Sequence, residues 1–231
     1  MAERPENQLA LAVLACADEG LLRACGAWLG GGTAVSLRCG EFRVSRGLDF
    51  LCASDGGYRE LRLRVRADGI RGVFPRGVTG VREPRIDRYG IRFAVSYGDA
   101  ILKVEIVSEG RIALDGVPDA ALPVWRLTDC DLSAEKLLAN DDRYLDDAAL
   151  GRDMVDLLML ERALTALPAA AWEKARKAYG VSIDRAWHGA LHRMRAKPEL
   201  VAHVFASLGV SAEARDVVTK RLAELPIDET I

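Results

Sequence analysis

The stretch from residue 28 to residue 54 constrains the fold most, because two short apolar runs flank three consecutive glycines. The apolar run that ends at Gly30 and the run at residues 48–52 each have the length of a strand. Between them, Thr33 can cap a short helix, and Gly40 can end it. The stretch therefore predicts a strand, a glycine turn, a short helix and a second strand. Such a turn lets a backbone approach a phosphate, with helix N-terminal amides directed at the anion.

Asp49 is the polar residue of the second predicted strand. It lies between Leu48 and Phe50, so its side chain points to the opposite side of the strand from theirs. A carboxylate next to a phosphate-binding turn can bring Mg²⁺ to a nucleoside triphosphate. The pattern therefore makes Asp49 a candidate metal ligand.

These motifs resemble the nucleotidyltransferase family typified by the AbiEii/AbiGii toxins. That family has a Gly-Gly-Thr/Ser turn followed by R-x-S-x-D-[IL]-D-F, and this chain has R-V-S-R-G-L-D-F at residues 43–50. Gly47 stands where the family has the first Asp of its pair. The resemblance assigns nucleotide binding to Gly31, Gly32, Thr33, Arg43 and Ser45.

A second pair of motifs lies further along the chain. The run E-K-L-L-A at residues 135–139 and the run R-D-M-V-D-L at residues 152–157 resemble the family's eKLxA and RDxxDL segments. The resemblance implies that Lys136 contacts the nucleotide phosphates and that Asp153 completes the catalytic set. Together the motifs span roughly residues 28 to 160.

Glu105 is the candidate partner of Asp49. Residues 91–97 and 101–107 read as two strands joined by a Gly-Asp turn, which is a hairpin signal. Alternation places Lys103 and Glu105 on one face of the second strand. Next to the family motif, Glu105 is expected to be a second metal ligand or a base, and the alternative is an ordinary exposed strand residue.

The region from residue 59 to residue 92 is rich in arginine. Ten arginines face only four acids there, a local excess of +6. The arginines are Arg59, Arg62, Arg64, Arg66, Arg71, Arg76, Arg82, Arg85, Arg88 and Arg92. Such a patch can bind triphosphate or an RNA backbone, or it can be a solvated face paired with acids elsewhere. The sequence leaves both interpretations open.

The pattern of apolar residues changes from strand-like to helical near residue 129. We expect an α+β protein with a nucleotidyltransferase-like mixed sheet and helices in residues 1–128, opened by a helix at 7–24, and a helical domain in residues 129–231. Four helices are expected at 168–179, 182–195, 198–208 and 211–225.

Composition limits the class of protein. The chain has 231 residues, half of them hydrophobic, and a net charge of −2, so a globally basic nucleic-acid binder is disfavoured. No apolar run reaches the about eighteen residues of a membrane span. The five cysteines form no C-x-x-C pair, which is typical of reduced thiols. We expect a cytoplasmic protein that does not enter the membrane.

The function follows from the resemblance together with the missing Asp. Dinucleotide-binding and P-loop motifs are absent from the sequence. The resemblance implies transfer of a nucleoside monophosphate from a triphosphate to an acceptor, with RNA, and tRNA in particular, as the expected acceptor. It implies Asp49 and Glu105 as ligands of Mg²⁺, for which Mn²⁺ could substitute, and Asp49, Glu105, Lys136 and Asp153 as the catalytic set. It also implies a toxin with a cognate antitoxin.

Gly47 leaves three interpretations open. The chain is an active enzyme with an altered metal shell, a pseudo-transferase that binds nucleotide or RNA without catalysis, or a protein inactivated by the substitution.

Overall fold

The computed structural model describes residues 3–149 and 151–226. Within these residues the helices are α1 (Pro5–Leu14), α2 (Glu19–Ala24), α3 (Gly31–Arg38), α4 (Asp55–Asp68), α5 (Asp129–Arg143), α6 (Arg152–Leu164), α7 (Ala169–Tyr179), α8 (Ser182–Ala196), α9 (Pro198–Ser207) and α10 (Ala212–Glu224). The strands are β1 (Ala27–Gly30), β2 (Gly47–Cys52), β3 (Thr79–Gly80), β4 (Arg85–Ile86), β5 (Gly90–Tyr97), β6 (Ala100–Ser108), β7 (Gly116–Val117) and β8 (Arg126–Leu127). A short 3-10 helix (Gly69–Gly72) follows α4.

The chain divides into two compact units. The first unit contains residues 1–37 and 45–128, and the second contains residues 38–44 and 129–231. All the strands given above belong to the first unit, and α5 to α10 belong to the second. The fold class is thus confirmed as a mixed α/β protein whose C-terminal part is helical. The sequence-based division after residue 128 remains a prediction about independently folding domains.

The first unit is built on one mixed sheet. Its strands lie in the order β3-β5-β6-β2-β1-β8-β7, and β4 pairs with β5. The pairs β1–β2 and β5–β6 are antiparallel, whereas β2–β6 and β1–β8 are parallel. The hairpin expected from the turn at residues 98–99 is therefore confirmed. The parallel β2–β6 pair is the non-local contact that matters most for the site.

Alternation along the central strands separates a buried face of the sheet from a more open one. Leu48 and Phe50 of β2 are fully buried, as are Val104 and Ile106 of β6. The residues between them point to the other face, which is only partly buried. Because side chains alternate between the faces, polar groups in β2 and β6 are collected on this open side.

The expected opening helix is two helices in the structure, α1 and α2. Asp18 causes the break, because its side chain accepts a hydrogen bond from the backbone N–H of Leu21 at 2.9 Å and so caps α2. An N-cap carboxylate satisfies an amide that a new helix would otherwise leave unpaired.

The second unit is a helical bundle centred on α5. Helices α6, α7 and α8 pack against α5, and α10 packs against α6 and α8. Leu132, Leu137 and Leu158 are among its fully buried side chains. Trp172 of α7 meets Trp187 of α8 edge to face, with ring centroids 5.2 Å apart.

The segment at residues 38–44 is attached to this bundle by hydrogen bonds and an ion pair. The backbone N–H of Val44 donates to the carbonyl of Leu208, and the N–H of Ser211 donates to the carbonyl of Phe42, both at 2.8 Å. Arg38 forms a bidentate pair with Asp129, at 2.9 Å for each contact. The second unit therefore includes a piece of chain from far upstream in the sequence.

No helix in the described part of the chain is both long enough and apolar enough to cross a membrane.

Candidate functional site

Asp49 and Glu105 are neighbours in the sheet of the first unit. In the parallel pair of β2 and β6, Asp49 is the register partner of Glu105. Aligned residues of adjacent strands face the same side of a sheet, and the strands are about 4.8 Å apart. The two predicted metal ligands are therefore brought together on the open face.

Gly31 lies directly against Asp49. A Cβ atom at residue 31 would come within 2.0 Å of Asp49 Oδ2, and the backbone there has φ +60°. Both observations require glycine, because an L side chain would clash with the carboxylate and would strain the backbone. Gly31 and Gly32 also begin α3, so amides of a helix N-terminus, which have no partner within the helix, lie beside the carboxylate.

Thr33 is fully buried and connects α3 to the start of β2. Its hydroxyl donates to the carbonyl of Gly47 at 2.5 Å and shares a hydrogen bond with the Ser45 hydroxyl at 2.8 Å. In the structure these contacts hold the chain that enters β2 next to the glycine turn. The nucleotide-binding role of Thr33 and Ser45 stays a prediction.

Gly47 has room for a side chain. A Cβ atom there would lie 3.6 Å from the carbonyl oxygen of Lys103 and 4.0 Å from its Cβ, which are ordinary van der Waals distances. Residue 47 is two positions from Asp49 in β2, so its side chain would point to the same open face. The backbone surroundings of residue 47 therefore accommodate a Cβ atom.

Arg92 joins the site as a residue that the sequence motifs did not single out. Its Nε lies 2.6 Å from Glu105 Oε1, and its Nη1 donates to Asp87 Oδ2 at 3.1 Å. Arg92 is the register partner of Glu105 across β5 and β6. From the sequence, the alternation of side chains in β5 could have predicted that Arg92 lies on the polar face. Its contact with Glu105 could not be predicted in this way, because it depends on the pairing of β5 with β6.

The donor set fits a single hard cation. Mg²⁺ commonly takes one or two protein carboxylates and completes its shell with water and substrate phosphates, and Asp49 with Glu105 matches that pattern. Within residues 3–149 and 151–226, no group of three or more His, Cys, Asp or Glu side chains could hold a metal. Carboxylates for two bridged ions are therefore not supplied by the described residues.

Lys136 and Asp153 are brought together in the second unit, in a buried network of charges. Lys136 Nζ lies 3.0 Å from Asp153 Oδ1 and 2.7 Å from Asp156 Oδ2. Arg143 forms a bidentate contact with Asp153, at 2.6 Å and 2.9 Å. Arg43 does the same with Asp156, at 2.6 Å and 2.8 Å. The network joins three cations to two carboxylates.

Burial and charge compete within this network. Burial would lower the pKa of Lys136, but Asp156 and Asp153 outweigh it and raise the pKa. Burial would raise the pKa of Asp153, but Lys136 and Arg143 hold it well below the usual range. The pKa of Asp156 is lowered too, because Arg43 and Lys136 overcome its burial. All these groups are therefore charged near neutral pH.

These contacts bear on two residues that the family resemblance assigns to nucleotide binding. Arg43 is only 4% exposed, and its guanidinium donates hydrogen bonds to Asp156 and to the carbonyl of Val44. Lys136 is 6% exposed, and its ammonium forms ion pairs with two carboxylates. Asp156 was not among the predicted site residues, although it is the second Asp of the R-D-M-V-D-L run. The nucleotide-binding roles of Arg43 and Lys136 stay predictions.

Comparisons with known proteins identify the family. The family described as Nucleotidyl transferase AbiEii toxin, Type IV TA system, matches residues 21–226. No curated protein matches the chain.

Two solved structures match the chain, and the first of them is similar to it in fold. An antigenic nucleotidyltransferase-like protein from Paracoccidioides brasiliensis is 14% identical with a TM-score of 0.54, and the match covers 84% of this chain and 91% of that one. A candidate nucleotidyltransferase from H. pylori is 16% identical with a TM-score of 0.39, covering 82% of this chain and 97% of that one. With a family match over nearly its whole length, the chain belongs to the AbiEii family of nucleotidyltransferase toxins.

Proposed function

We propose that this protein transfers a nucleoside monophosphate from a nucleoside triphosphate to a hydroxyl of RNA, with tRNA as the first candidate, and acts as the toxin of a toxin–antitoxin pair. The observation that carries the proposal is the register pair Asp49–Glu105 on the open sheet face, with Asp49 lying against Gly31 at the start of α3. Such an arrangement supports carboxylates for a metal beside backbone amides for a phosphate. Membership of a toxin family supports a cognate antitoxin as partner.

The roles of the side chains follow from their positions in the first unit. Asp49 and Glu105 would hold Mg²⁺, and Mn²⁺ is the alternative ion. Bound there, the ion would neutralise charge that develops on the triphosphate and would orient it. The amides at Gly31 and Gly32 would bind phosphate oxygens.

The transfer itself breaks one bond to phosphorus and forms another. The acceptor hydroxyl oxygen attacks the α-phosphorus, the bond from that phosphorus to the bridging oxygen breaks, and pyrophosphate leaves. Glu105 would accept the hydroxyl proton. The Arg92 guanidinium, which pairs with Glu105 in the structure, can exchange that carboxylate for a phosphate because both are bidentate acceptors.

The roles of Lys136 and Asp153 rest on the family resemblance. The contacts of Lys136 in the second unit add a constraint, because its ammonium is already shared between two carboxylates. Replacing Lys136 by Ala tests its assignment to nucleotide phosphates. A charge-assisted contact is worth about 1.5–3 kcal/mol, so triphosphate affinity should fall by roughly ten- to a hundredfold. Calorimetry showing unchanged affinity in a folded variant would remove Lys136 from the site.

The transfer assay compares the natural protein with Asp49→Ala on total RNA, using each labelled triphosphate in turn with Mg²⁺ or Mn²⁺. Asp99→Ala is the matched control, because Asp99 is an exposed carboxylate in the turn between β5 and β6 of the same sheet. We expect transfer in the natural protein and in the control, and none in Asp49→Ala. Equal transfer by all three proteins would show that Asp49 is not part of the site.

Gly47 supports a second candidate function, a pseudo-transferase that binds nucleotide or RNA without turnover. The described residues provide two carboxylates at this place in the sheet, Asp49 and Glu105, whereas the family motif has a further Asp at the position of Gly47. Under this alternative, calorimetry would detect Mg²⁺-dependent triphosphate binding that Asp49→Ala abolishes, while no label would reach RNA under any condition tested.

A further inference from the structure

The arginine-rich region of the first unit is largely without acidic partners. Of its ten arginines, only Arg64 and Arg92 form an ion pair, with Glu60 in the first case and with Asp87 and Glu105 in the second. For the other eight, the described residues offer no carboxylate at ion-pair distance. The whole chain carries a net charge of −2, so this positive charge is segregated rather than general. The described structure therefore does not show these eight arginines neutralised by acids elsewhere.

One row of residues across the sheet joins this basic region to the carboxylate pair. Arg85 of β4 is the register partner of Arg92 of β5, Arg92 is the partner of Glu105 of β6, and Glu105 is the partner of Asp49 of β2. Aligned residues share one face, so the row is Arg85, Arg92, Glu105, Asp49 on the open side. With about 4.8 Å between neighbouring strands, Arg85 lies on the order of 10 Å from the strand of Glu105.

The turn between β4 and β5, which links Arg85 to Arg92 along the chain, carries an exposed aromatic ring. Tyr89 is 58% exposed, and the guanidinium of Arg88 lies over its ring, 4.5 Å from the centroid. Asp87 brings a negative charge to the turn, but its carboxylate accepts hydrogen bonds from the backbone N–H groups of Tyr89 and Gly90 and from Arg92. These contacts, the first above all, lower the pKa of Asp87.

We propose that Arg85, Arg88, Tyr89 and Arg92 form a track that guides a single-stranded RNA acceptor to the Asp49–Glu105 pair. The arginines bind backbone phosphates, and the Tyr89 ring stacks on an unpaired base. The identity of the acceptor as RNA rests on the proposed function.

The chemistry of the track selects this ligand class. Guanidinium groups bind phosphates bidentately, and Arg85 and Arg88 have no carboxylate at ion-pair distance among the described residues, which favours a polyanion over a neutral ligand. A base can stack on Tyr89 only if it is free of its own helical stack, which single-stranded RNA permits and a continuous duplex does not.

The test measures RNA binding directly, without triphosphate, so that it does not depend on turnover. Fluorescence anisotropy of a short labelled single-stranded RNA is recorded over a range of salt concentrations. Arg85→Gln/Arg88→Gln is compared with Lys177→Gln/Arg185→Gln, which removes the same charge from exposed positions of the second unit. Arg92 is left intact because it contacts Glu105.

For the arginine variant we expect affinity to fall by about tenfold or more, with the control close to the natural protein. The slope of log affinity against log salt should lose about 1.4, because each phosphate contact to a single strand contributes about 0.7. Tyr89→Leu should weaken binding by roughly fivefold or more, whereas Tyr89→Phe, which keeps a stacking ring, should not. With a labelled RNA hairpin that has no unpaired bases, Tyr89→Leu should no longer weaken binding.

Several results would overturn the track. One is an arginine variant with the affinity and salt slope of the natural protein. Another is equal weakening by the control pair, which would indicate general electrostatic attraction. A third is loss of cognate antitoxin binding with RNA affinity unchanged, which would make the surface a protein interface. If RNA binding behaves as expected while label transfer is absent, the track stands and the proposed catalysis fails instead.

Discussion

Restoring the missing carboxylate should increase catalysis, and the structure has room for the first atom of the new side chain. In Gly47→Asp, the new Cβ would lie 3.6 Å from the nearest atom, the Lys103 carbonyl oxygen, which is an ordinary van der Waals distance. The Asp side chain would lie on the same face of β2 as Asp49. Two carboxylates on β2, with Glu105 on β6, would then offer ligands for a second ion.

The expected stability change is small. Replacing a strand glycine recovers about 0.5–1 kcal/mol of backbone entropy, and the poor strand propensity of Asp offsets a similar amount. The free energy of unfolding should therefore change by less than about 1 kcal/mol, a Tm shift within roughly 4 °C for a chain of this size.

The expected change in activity is larger. A bound metal ion stabilises the transition state by several kcal/mol. If the new ligand contributes about 1.4–2.8 kcal/mol of this by lowering the activation free energy of transfer, the rate rises roughly ten- to a hundredfold. Lys103 is the register partner of residue 47, so its ammonium could capture the new carboxylate. The double variant Gly47→Asp/Lys103→Met removes this competition and should be at least as active as Gly47→Asp.

The assay follows transfer of labelled nucleotide to RNA over a range of Mg²⁺ and Mn²⁺ concentrations, with Gly47→Asn as the matched control. Asn has nearly the shape of Asp without its charge, so it should stay near the natural rate. The reasoning is refuted if both Gly47→Asp and the double variant bind triphosphate and unfold normally but show no gain. In that case the pseudo-transferase alternative is favoured.

The other predictions concern the glycine turn and the buried charges. Gly31→Ala should destabilise the protein by about 1–2 kcal/mol because of the positive φ at residue 31, and it should also displace Asp49. Gly98→Ala, at a residue with positive φ but open space around it, should show the backbone strain alone. Urea unfolding measures the strain and Mg²⁺ titration measures the displacement, and equal Mg²⁺ affinity in both variants would contradict a role for the Gly31–Asp49 contact. Lys136→Met should lower the free energy of unfolding by about 3–5 kcal/mol, because it leaves buried carboxylates with one cation fewer. The exposed control Lys177→Met should leave the free energy of unfolding almost unchanged. Similar denaturation midpoints for the two variants would argue against a stabilising role of the network. The pKa values of the two carboxylates that Lys136 bridges are lowered in the folded state, so their stabilisation is present above the ordinary carboxyl pKa and is lost as the pH falls towards the lowered values. The free energy of unfolding should therefore fall between about pH 5 and pH 2, and a flat profile would contradict the lowered pKa values.

Local patterns carried enough information to predict much of the first unit. The alternation in residues 91–107 and the turn at Gly98 predict a hairpin, because strand period and turn chemistry act over a few residues. The break at Asp18 was missed because an apolar pattern can continue across a capping residue that starts a new helix. The resemblance to the AbiEii family was confirmed by the family match over residues 21–226.

Non-local pairing set the limit of sequence reasoning at the site. Arg43 sits within a motif assigned to nucleotide binding, yet its guanidinium binds Asp156, which is 113 residues away. Arg92 likewise meets Glu105 only because β5 and β6 pair at that register. Burial and partner choice depend on the packed chain, so a motif identifies the residues of a site without giving their ionic contacts.

The inserted segment at residues 38–44 limits how this protein can be divided or recombined. The polypeptide passes from the first unit to the second, returns, and passes over again at Asp129, so neither unit is one continuous stretch of sequence. A fragment starting at residue 129 would lack Arg43 and leave the fully buried Asp156 with Lys136 as its counter-ion. During synthesis, residues 38–44 are made early, but they can form their hydrogen bonds to the helical unit only after its last helices have been made. An exchange of the helical unit between relatives would therefore have to include residues 38–44 as well, which favours inheritance of the two units together.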